Sequence, residues 1–176
     1  MSIETDRLLL IACGPSELDQ FAHEPEHLAT RLDVSFPADF PVFPEGIAWW
    51  RARMKTEPDV IGWAIWFVIR KADRIVIGDG GFKGPPNDEG VVEIGYALVE
   101  AARGQGYGKE FARRLVDWAF GHPEVNAVTA ETLSDGFASM AVLRSLGMAQ
   151  TGSYVDPEEG DILQWRVDRA GYAARS

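Results

Sequence analysis

The 176-residue chain is short of cysteine, histidine and positive charge: one Cys, three His, and 17 Lys and Arg against 27 Asp and Glu. Each shortage excludes something. Cys13 by itself cannot close an intramolecular disulfide, and there is no cysteine cluster to hold a metal. His23, His27 and His122 lack a third ligand at metal spacing. The net charge of -10 and a pI near 4.7 argue against nucleic acid as a partner. No apolar run reaches the roughly 20 residues that a membrane helix requires. The opening MSIETDRLLL carries acid where a secretory leader carries base. The expectation is a soluble, cytoplasmic protein with neither a membrane nor a nucleic-acid partner, whose acidic surface favours cationic amines or basic peptides.

Apolar and aromatic residues are plentiful. Hydrophobic residues make up 46%, with six Trp and nine Phe, enough for one packed domain over residues 1–176. The aliphatic run Arg7 to Ala12 reads as a first strand, stopped by Gly14-Pro15, with helices expected from Pro15 and over Glu26 to Leu32. Val34 to Pro44 holds Pro37, Pro41 and Pro44 among Phe36, Phe40 and Phe43, so it reads as an aromatic loop. Glu45 to Glu57 predicts a helix with Ile47, Trp50 and Met54 on one stripe, closed by Pro58-Asp59. Ile61 to Ile69 predicts a buried strand. Arg74 to Phe82 returns as its hairpin partner, and Gly78, Gly80 and Gly81 mark a bulge or a close backbone approach. Further strands are expected at Val91 to Val99, Ala127 to Leu133, Ala149 to Val155 and Ile162 to Val167. Helices are expected at about Gln105 to Phe120, with Phe111, Leu115, Trp118 and Ala119 on one stripe, and at Asp135 to Leu146 before Gly147.

The informative stretch is Val91 to Phe120. A strand runs through a small-residue turn into Arg103-Gly104-Gln105-Gly106-Tyr107-Gly108-Lys109 and then a helix. The first N–H groups of a helix lack internal partners and sit at the positive end of its dipole, which makes an anion site. Glycines let a phosphate approach that backbone. A dinucleotide fold requires G-x-G-x-x-G near the first strand, and a Walker loop requires G-x-x-x-x-G-K-[ST]. Here the spacing is G-x-G-x-G, Glu110 follows Lys109, and Arg103 stands where the first Walker glycine belongs. Both readings fail on spacing.

Arg103-x-x-Gly106-x-Gly108 instead resembles the [Gln/Arg]-x-x-Gly-x-[Gly/Ala] loop of the GNAT superfamily of N-acetyltransferases. The preceding Glu93-Ile94-Gly95-Tyr96 strand and the helix after the loop match the same family. So does Ala138-Ser139-x-x-Val142-Leu143-x-x-Leu146-Gly147-Met148, and Glu4-Thr5-Asp6-Arg7-Leu8 is similar to the opening of the ribosomal-protein-alanine N-acetyltransferase branch. The resemblance implies an α/β (α+β) fold: a mixed, mostly antiparallel sheet of about six to seven strands, flanked by helices and splayed at the cofactor-binding strand. It also implies direct acetyl transfer from acetyl-CoA, without metal, to a primary amine, either a peptide or protein N-terminus or a small amine. A homodimer is compatible with it and not required by it.

The resemblance assigns roles residue by residue. Backbone from Gly104 through Gln105, Gly106 and Tyr107 to Gly108 would cradle the pyrophosphate, with Arg103 and Lys109 adding charge. Main-chain groups of Ala97, Leu98 and Val99 would meet the pantetheine arm and stabilise developing oxyanion charge. Glu93, a carboxylate interrupting an apolar strand, would act as general base for an ammonium whose ordinary pKa is about 10.4. Its plainer reading is a glutamate that orients water or binds substrate. Ser139 would contact the cofactor or relay a proton, or be a helix-surface hydroxyl. Two departures stand out: Leu143 occupies the place of the family's frequent tyrosine acid, and Gly136 that of an asparagine. They keep open a second class of function, a CoA-binding module with little catalysis. Cys13 reads as core or rim rather than an acetyl carrier. The aromatic loop and Trp49-Trp50 read as either acceptor lining or core, with at least half expected in the core.

Overall fold

A computed structural model describes residues 1–57 and 60–174. Its strands are β1 (Ser2–Glu4), β2 (Leu8–Ala12), β3 (Ile65–Arg70), β4 (Ile75–Phe82), β5 (Val91–Leu98), β6 (Ala127–Leu133), β7 (Ala149–Asp156) and β8 (Gly160–Asp168). Its helices are α1 (Pro15–His23), α2 (Pro25–Leu32), α3 (Pro44–Arg53), α4 (Tyr107–Phe120), α5 (Phe137–Ser145) and α6 (Arg169–Ala173). The strand order is β1-β2-β3-β4-β5-β6-β8-β7, an open and mostly antiparallel sheet with β5 parallel to β6. The chain divides into two compact units: residues 1–82 with 96–107, and 83–95 with 108–176.

In the first unit, β3 is the buried strand that its Ile, Val, Trp and Phe content predicts, and Trp66, Phe67, Val68 and Ile69 have no exposed surface. It starts at Ile65 rather than Ile61. Gly62 turns to φ 94 and the Trp63 N–H closes a turn on the Val60 carbonyl (2.8 Å), so the chain is not extended there. On α3, Ile47 and Trp50 are buried, as is Met54 just beyond its end. Pro58 and Asp59, read as the close of that helix, lie outside the described residues. β1 raises the strand count above the six to seven expected. Three residues, two of them polar, carry no alternation signal of their own, and the pairing Ile3 to Leu10 makes them a strand.

The glycines of β4 serve two purposes. The β3–β4 ladder pairs Val68 with Gly78 and Ile69 with Val76, skipping Ile77 as a bulge. The Ile77 carbonyl then accepts the Val99 N–H at 3.0 Å. A side chain at Gly78 would lie 2.3 Å from the Ala97 carbonyl oxygen, so β4 and the end of β5 approach closely only because Gly78 has none.

In the second unit, β6 pairs with β8 along its whole length and β8 with β7. Trp165 is buried and donates its indole N–H to Thr132 Oγ1 at 2.9 Å, which satisfies the one polar atom it carries inward. α4 packs Phe111, Leu115 and Ala119 inward at the spacing of four that makes one face, joined by Ala112 and Val116. Trp118, expected on that stripe, is half-buried and tilted against the His122 ring, 4.4 Å between centroids. α5 runs from Phe137 to Ser145, shorter at both ends than expected, and Gly147 beyond it takes φ 84, which lets the Met148 N–H reach back to the Leu143 carbonyl at 3.1 Å.

Gly81 offers a direct test of the first unit. Its φ is 153, and an added Cβ would fall 1.7 Å from the Ala64 carbonyl oxygen. Gly81→Ala is expected to lose more than about 2 kcal/mol in urea unfolding. Gly171→Ala, in α6 with open space around it, is expected to gain roughly 0.5 kcal/mol. Equal midpoints for the two variants would show that the close approach at Ala64 does not govern Gly81.

Candidate active site

The turn into α4 is built on left-handed backbone. Gly104 has φ 72 and Gly106 φ 82, conformations that cost a residue with a Cβ about 1 kcal/mol or more. They let the chain leave a short 3-10 turn, Glu100–Ala102, and enter α4 at Tyr107, two residues later than the sequence suggests, because Gly106 is not helical. A Cβ on Gly104 would meet no atom within 4 Å, so that backbone faces open space. Gly104, Gln105 and Gly106 are exposed, and so are Arg103 and Lys109.

Arg7, at the start of β2, holds this turn from behind. Its Nη1 donates to the Gln105 carbonyl at 3.1 Å, and its guanidinium lies over the Tyr107 ring, 4.4 Å from the centroid. Arg70 approaches the same ring at 6.0 Å. In the sequence, Arg7 stands out only as part of an opening-strand resemblance. A contact spanning 98 residues leaves no local signal.

Arg103 turns inward along its own loop. Its Nε donates to the Leu98 carbonyl at 2.9 Å, which makes it a brace for the end of β5. The Val99 N–H, one of three main-chain donors considered for an oxyanion, is engaged by Ile77. The β5–β6 ladder runs from Val91–Ala127 to Ile94–Ala130 and stops, while β5 continues to Leu98 and β6 to Leu133. Ala97, Leu98, Val99 and the turn through Tyr107 belong to the first unit; Glu93, Gly108, Lys109 and Ser139 belong to the second. Ser139 is half-buried on α5, and Leu143, in the place of the tyrosine, is fully buried.

Glu93 sits in mid-β5 with its side chain 28% exposed and forms an ion pair with Lys83. The Lys83 Nζ is also 3.4 Å from Glu131 Oε2 on β6. Glu131 accepts further from Tyr154 Oη at 3.3 Å and Gln164 Nε2 at 3.2 Å. Partial burial of Lys83 works to lower its pKa, but Glu93 and Glu131 outweigh it and hold the ammonium above the ordinary lysine value. Lys83, Pro85, Asn87, Glu93 and Thr129 line a hollow of about 220 Å³. Sequence reasoning missed Lys83 and Glu131. Lys83 lies in a loop, and Glu131 stands in the alternating pattern of a strand, where a polar residue is unremarked.

The aromatic loop is mostly core packing. Phe21, Phe36, Phe40 and Phe67 form a cluster with centroids 5.0 to 5.8 Å apart. Phe40 and Trp50 are buried and Phe36 half-buried, whereas Phe43 and Trp49 are about half exposed. Cys13 is buried, and desolvation pushes its thiol well above the usual range. Asp79, on β4, is fully buried; its Oδ1 accepts the Val42 N–H at 3.0 Å, while Oδ2 has no hydrogen-bond partner among the described residues. Between Pro41 and Pro44, which have no N–H, the loop's amide donors are those of Val42 and Phe43, and both favour the Asp79 carboxylate. Asp79 therefore straps the loop to β4.

A family model described as "Acetyltransferase (GNAT) domain" matches residues 7–149. The chain belongs to the GNAT acetyltransferase family. It is 29% identical over 147 residues to YjdG of Bacillus subtilis (strain 168), named as an uncharacterized N-acetyltransferase, covering 82% of this chain and 88% of that one. Among solved structures it resembles the dodecameric spermidine N-acetyltransferase from Vibrio cholerae, with TM-score 0.71, 15% identity and 98% and 99% of the two chains covered. It also resembles RimL, a ribosomal L7/L12 alpha-N-protein acetyltransferase in complex with coenzyme A, with TM-score 0.69, 18% identity and 96% and 98% covered. At such identities these structures support the fold. The chain is thus an acetyltransferase of mixed α/β GNAT architecture. Among the described residues no group of His, Cys, Asp and Glu is placed to hold a metal ion, and no helix is long and apolar enough to cross a membrane.

Asp79 generates a pH prediction. Burial, opposed by the two loop amides, pushes its carboxyl from 3.8 up to about 6. The folded chain then binds that proton more tightly than the unfolded chain, so this contribution is full below about 4 and is lost as pH rises through about 6. Relative to wild type, Asp79→Asn is expected to gain about 2 kcal/mol between pH 4.5 and pH 7 in urea unfolding. Parallel stability curves for the two proteins would contradict it.

Proposed function

We propose that this acetyltransferase moves the acetyl group of acetyl-CoA directly to a primary amine, with Glu93 as general base. The observation that carries the reading is the left-handed Gly104–Gly106 turn, open on its outer face and held by Arg7, at the N-terminus of α4. Backbone N–H groups at such a terminus suit a pyrophosphate, and Lys109 adds charge beside them. Acetyl-CoA supplies the thioester carbonyl that an amine attacks. Glu93 would take the proton that the attacking ammonium must lose, directly or through water. Ser139 would contact the cofactor. With Leu143 in place of a tyrosine, the acidity of a thiol, whose ordinary pKa is about 8.5, reduces the need for a dedicated acid.

The acceptor is a peptide N-terminus or a small cationic amine. Two neighbours of the same fold are named for one of each, and the net charge of -10 favours either kind of cation. A cytoplasmic setting belongs to the same proposal.

The test is CoA thiol release from acetyl-CoA with an alanine-terminated peptide, spermidine and an aminoglycoside as acceptors. At least one is expected to turn over, and Glu93→Gln is expected to lower kcat/KM for it about 100-fold. A wild-type chain that binds CoA and acetylates none of them would favour the CoA-binding module. Arg7→Ala is expected to weaken CoA about tenfold in calorimetric titration by loosening the turn. An unchanged Kd would remove Arg7 from the cofactor site.

A further inference from the structure

We propose that Lys83 is a built-in competitor of the acceptor amine, an ammonium of the chain itself that occupies Glu93 until a substrate ammonium displaces it toward Glu131. The inference rests on the base role proposed for Glu93 and adds how that carboxylate is kept and released.

Lys83 is placed by the backbone. It directly follows β4, and its N–H donates to the Glu93 carbonyl at 2.9 Å, so its side chain starts next to the carboxylate it meets. Its Nζ is the one ion-pair partner of Glu93 among the described residues. Glu131, 3.4 Å from the same Nζ, is held by two neutral donors, Tyr154 and Gln164. One cation thus lies between two carboxylates, and leaving Glu93 does not leave it unpaired. The Lys83 side chain is 61% exposed, which gives it room to swing. The carboxylates hold its ammonium above the ordinary lysine pKa, so at neutral pH it is a charged occupant and not itself a nucleophile.

Two consequences follow from competition by a tethered group. A binding site occupied intramolecularly has its apparent affinity for an outside ligand reduced by the fraction of time it is free. Tethering also sets the local concentration of the internal ammonium at millimolar or above. If Lys83 holds Glu93 for roughly 80–90% of the time, the KM for an acceptor is raised about fivefold to tenfold. A carboxylate paired with an ammonium is also withheld from water. Water activated by a free Glu93 would attack the thioester, giving acetate and CoA thiol with no amine consumed. Lys83 suppresses that loss until an acceptor arrives.

The experiment uses the full chain, acetyl-CoA and n-butylamine, whose stem matches that of lysine, and compares wild type with Lys83→Met and Lys83→Arg. Lys83→Met is expected to lower KM for n-butylamine about fivefold to tenfold, with a smaller change in kcat, and to raise amine-free CoA release severalfold. Lys83→Arg, which keeps a cation there, is expected to remain near wild type on both measures. Adding Glu93→Gln to Lys83→Met is expected to abolish the extra amine-free release. Independently of turnover, the Lys83 ¹⁵Nζ ammonium signal, assigned by its absence from Lys83→Met, is expected to shift as n-butylammonium is added. An unlowered KM in Lys83→Met together with an unmoved Lys83 signal would overturn the competitor role while leaving Glu93 as base. A Glu93→Gln variant as active as wild type would instead overturn the base role, and the competitor role with it.

Discussion

The candidate site depends on two residues of left-handed backbone. Gly104 and Gly106 let the chain leave the end of β5, turn within a few residues and start α4, with open space around Gly104. A Cβ at either would strain the turn or push the backbone away from an approaching anion. The supports are arranged around that constraint. Arg7 takes the Gln105 carbonyl and stacks on Tyr107, while Arg103 ties back to Leu98. Arg103, which looks like a phosphate ligand in the sequence, thus spends hydrogen-bonding capacity on the Leu98 carbonyl, and Arg7 spends its own on the Gln105 carbonyl.

A second constraint is the burden of placing carboxylates near an apolar sheet. Glu93, Glu131 and Asp79 all lie on strands, and the chain treats them differently. Glu93 and Glu131 share a lysine ammonium. Asp79 has two loop amides and no cation, and desolvation raises its pKa to about 6. The distinction matters for function. A carboxylate paired with an exposed ammonium can be released to work as a base, whereas Asp79, with Oδ1 bonded to a loop amide and Oδ2 without a partner among the described residues, anchors a loop. Under the proposed base role of Glu93, the same chemistry would serve catalysis in one place, while at Asp79 it serves architecture.

Most elements are legible in the sequence because their signals are local. β6 matches its reading from Ala127 to Leu133 residue for residue, since its alternation is bounded by a proline-led turn and a polar stop. Boundaries differ where a glycine conformation intervenes, at Gly62 before β3 and at Gly106 before α4. β1 escapes notice because three residues have no periodicity to read. The aromatic loop is legible from its prolines. Which of its rings are buried depends on Phe21 and Phe67, which come from elsewhere in the chain.

The sequence by itself determined the family, through the spacing of Arg103, Gly106 and Gly108 after a strand that carries Glu93, because glycine spacing and strand periodicity are short-range and survive in one dimension. Only the tertiary structure decided who stands beside these residues: Arg7 behind the glycine turn, Lys83 and Glu131 beside Glu93, and Asp79 under the proline loop. These partners are between 10 and 98 residues apart in the chain. Electrostatic and hydrogen-bond pairing acts through space, and a strand or loop residue gives no sign of its partner until the sheet has brought the two together.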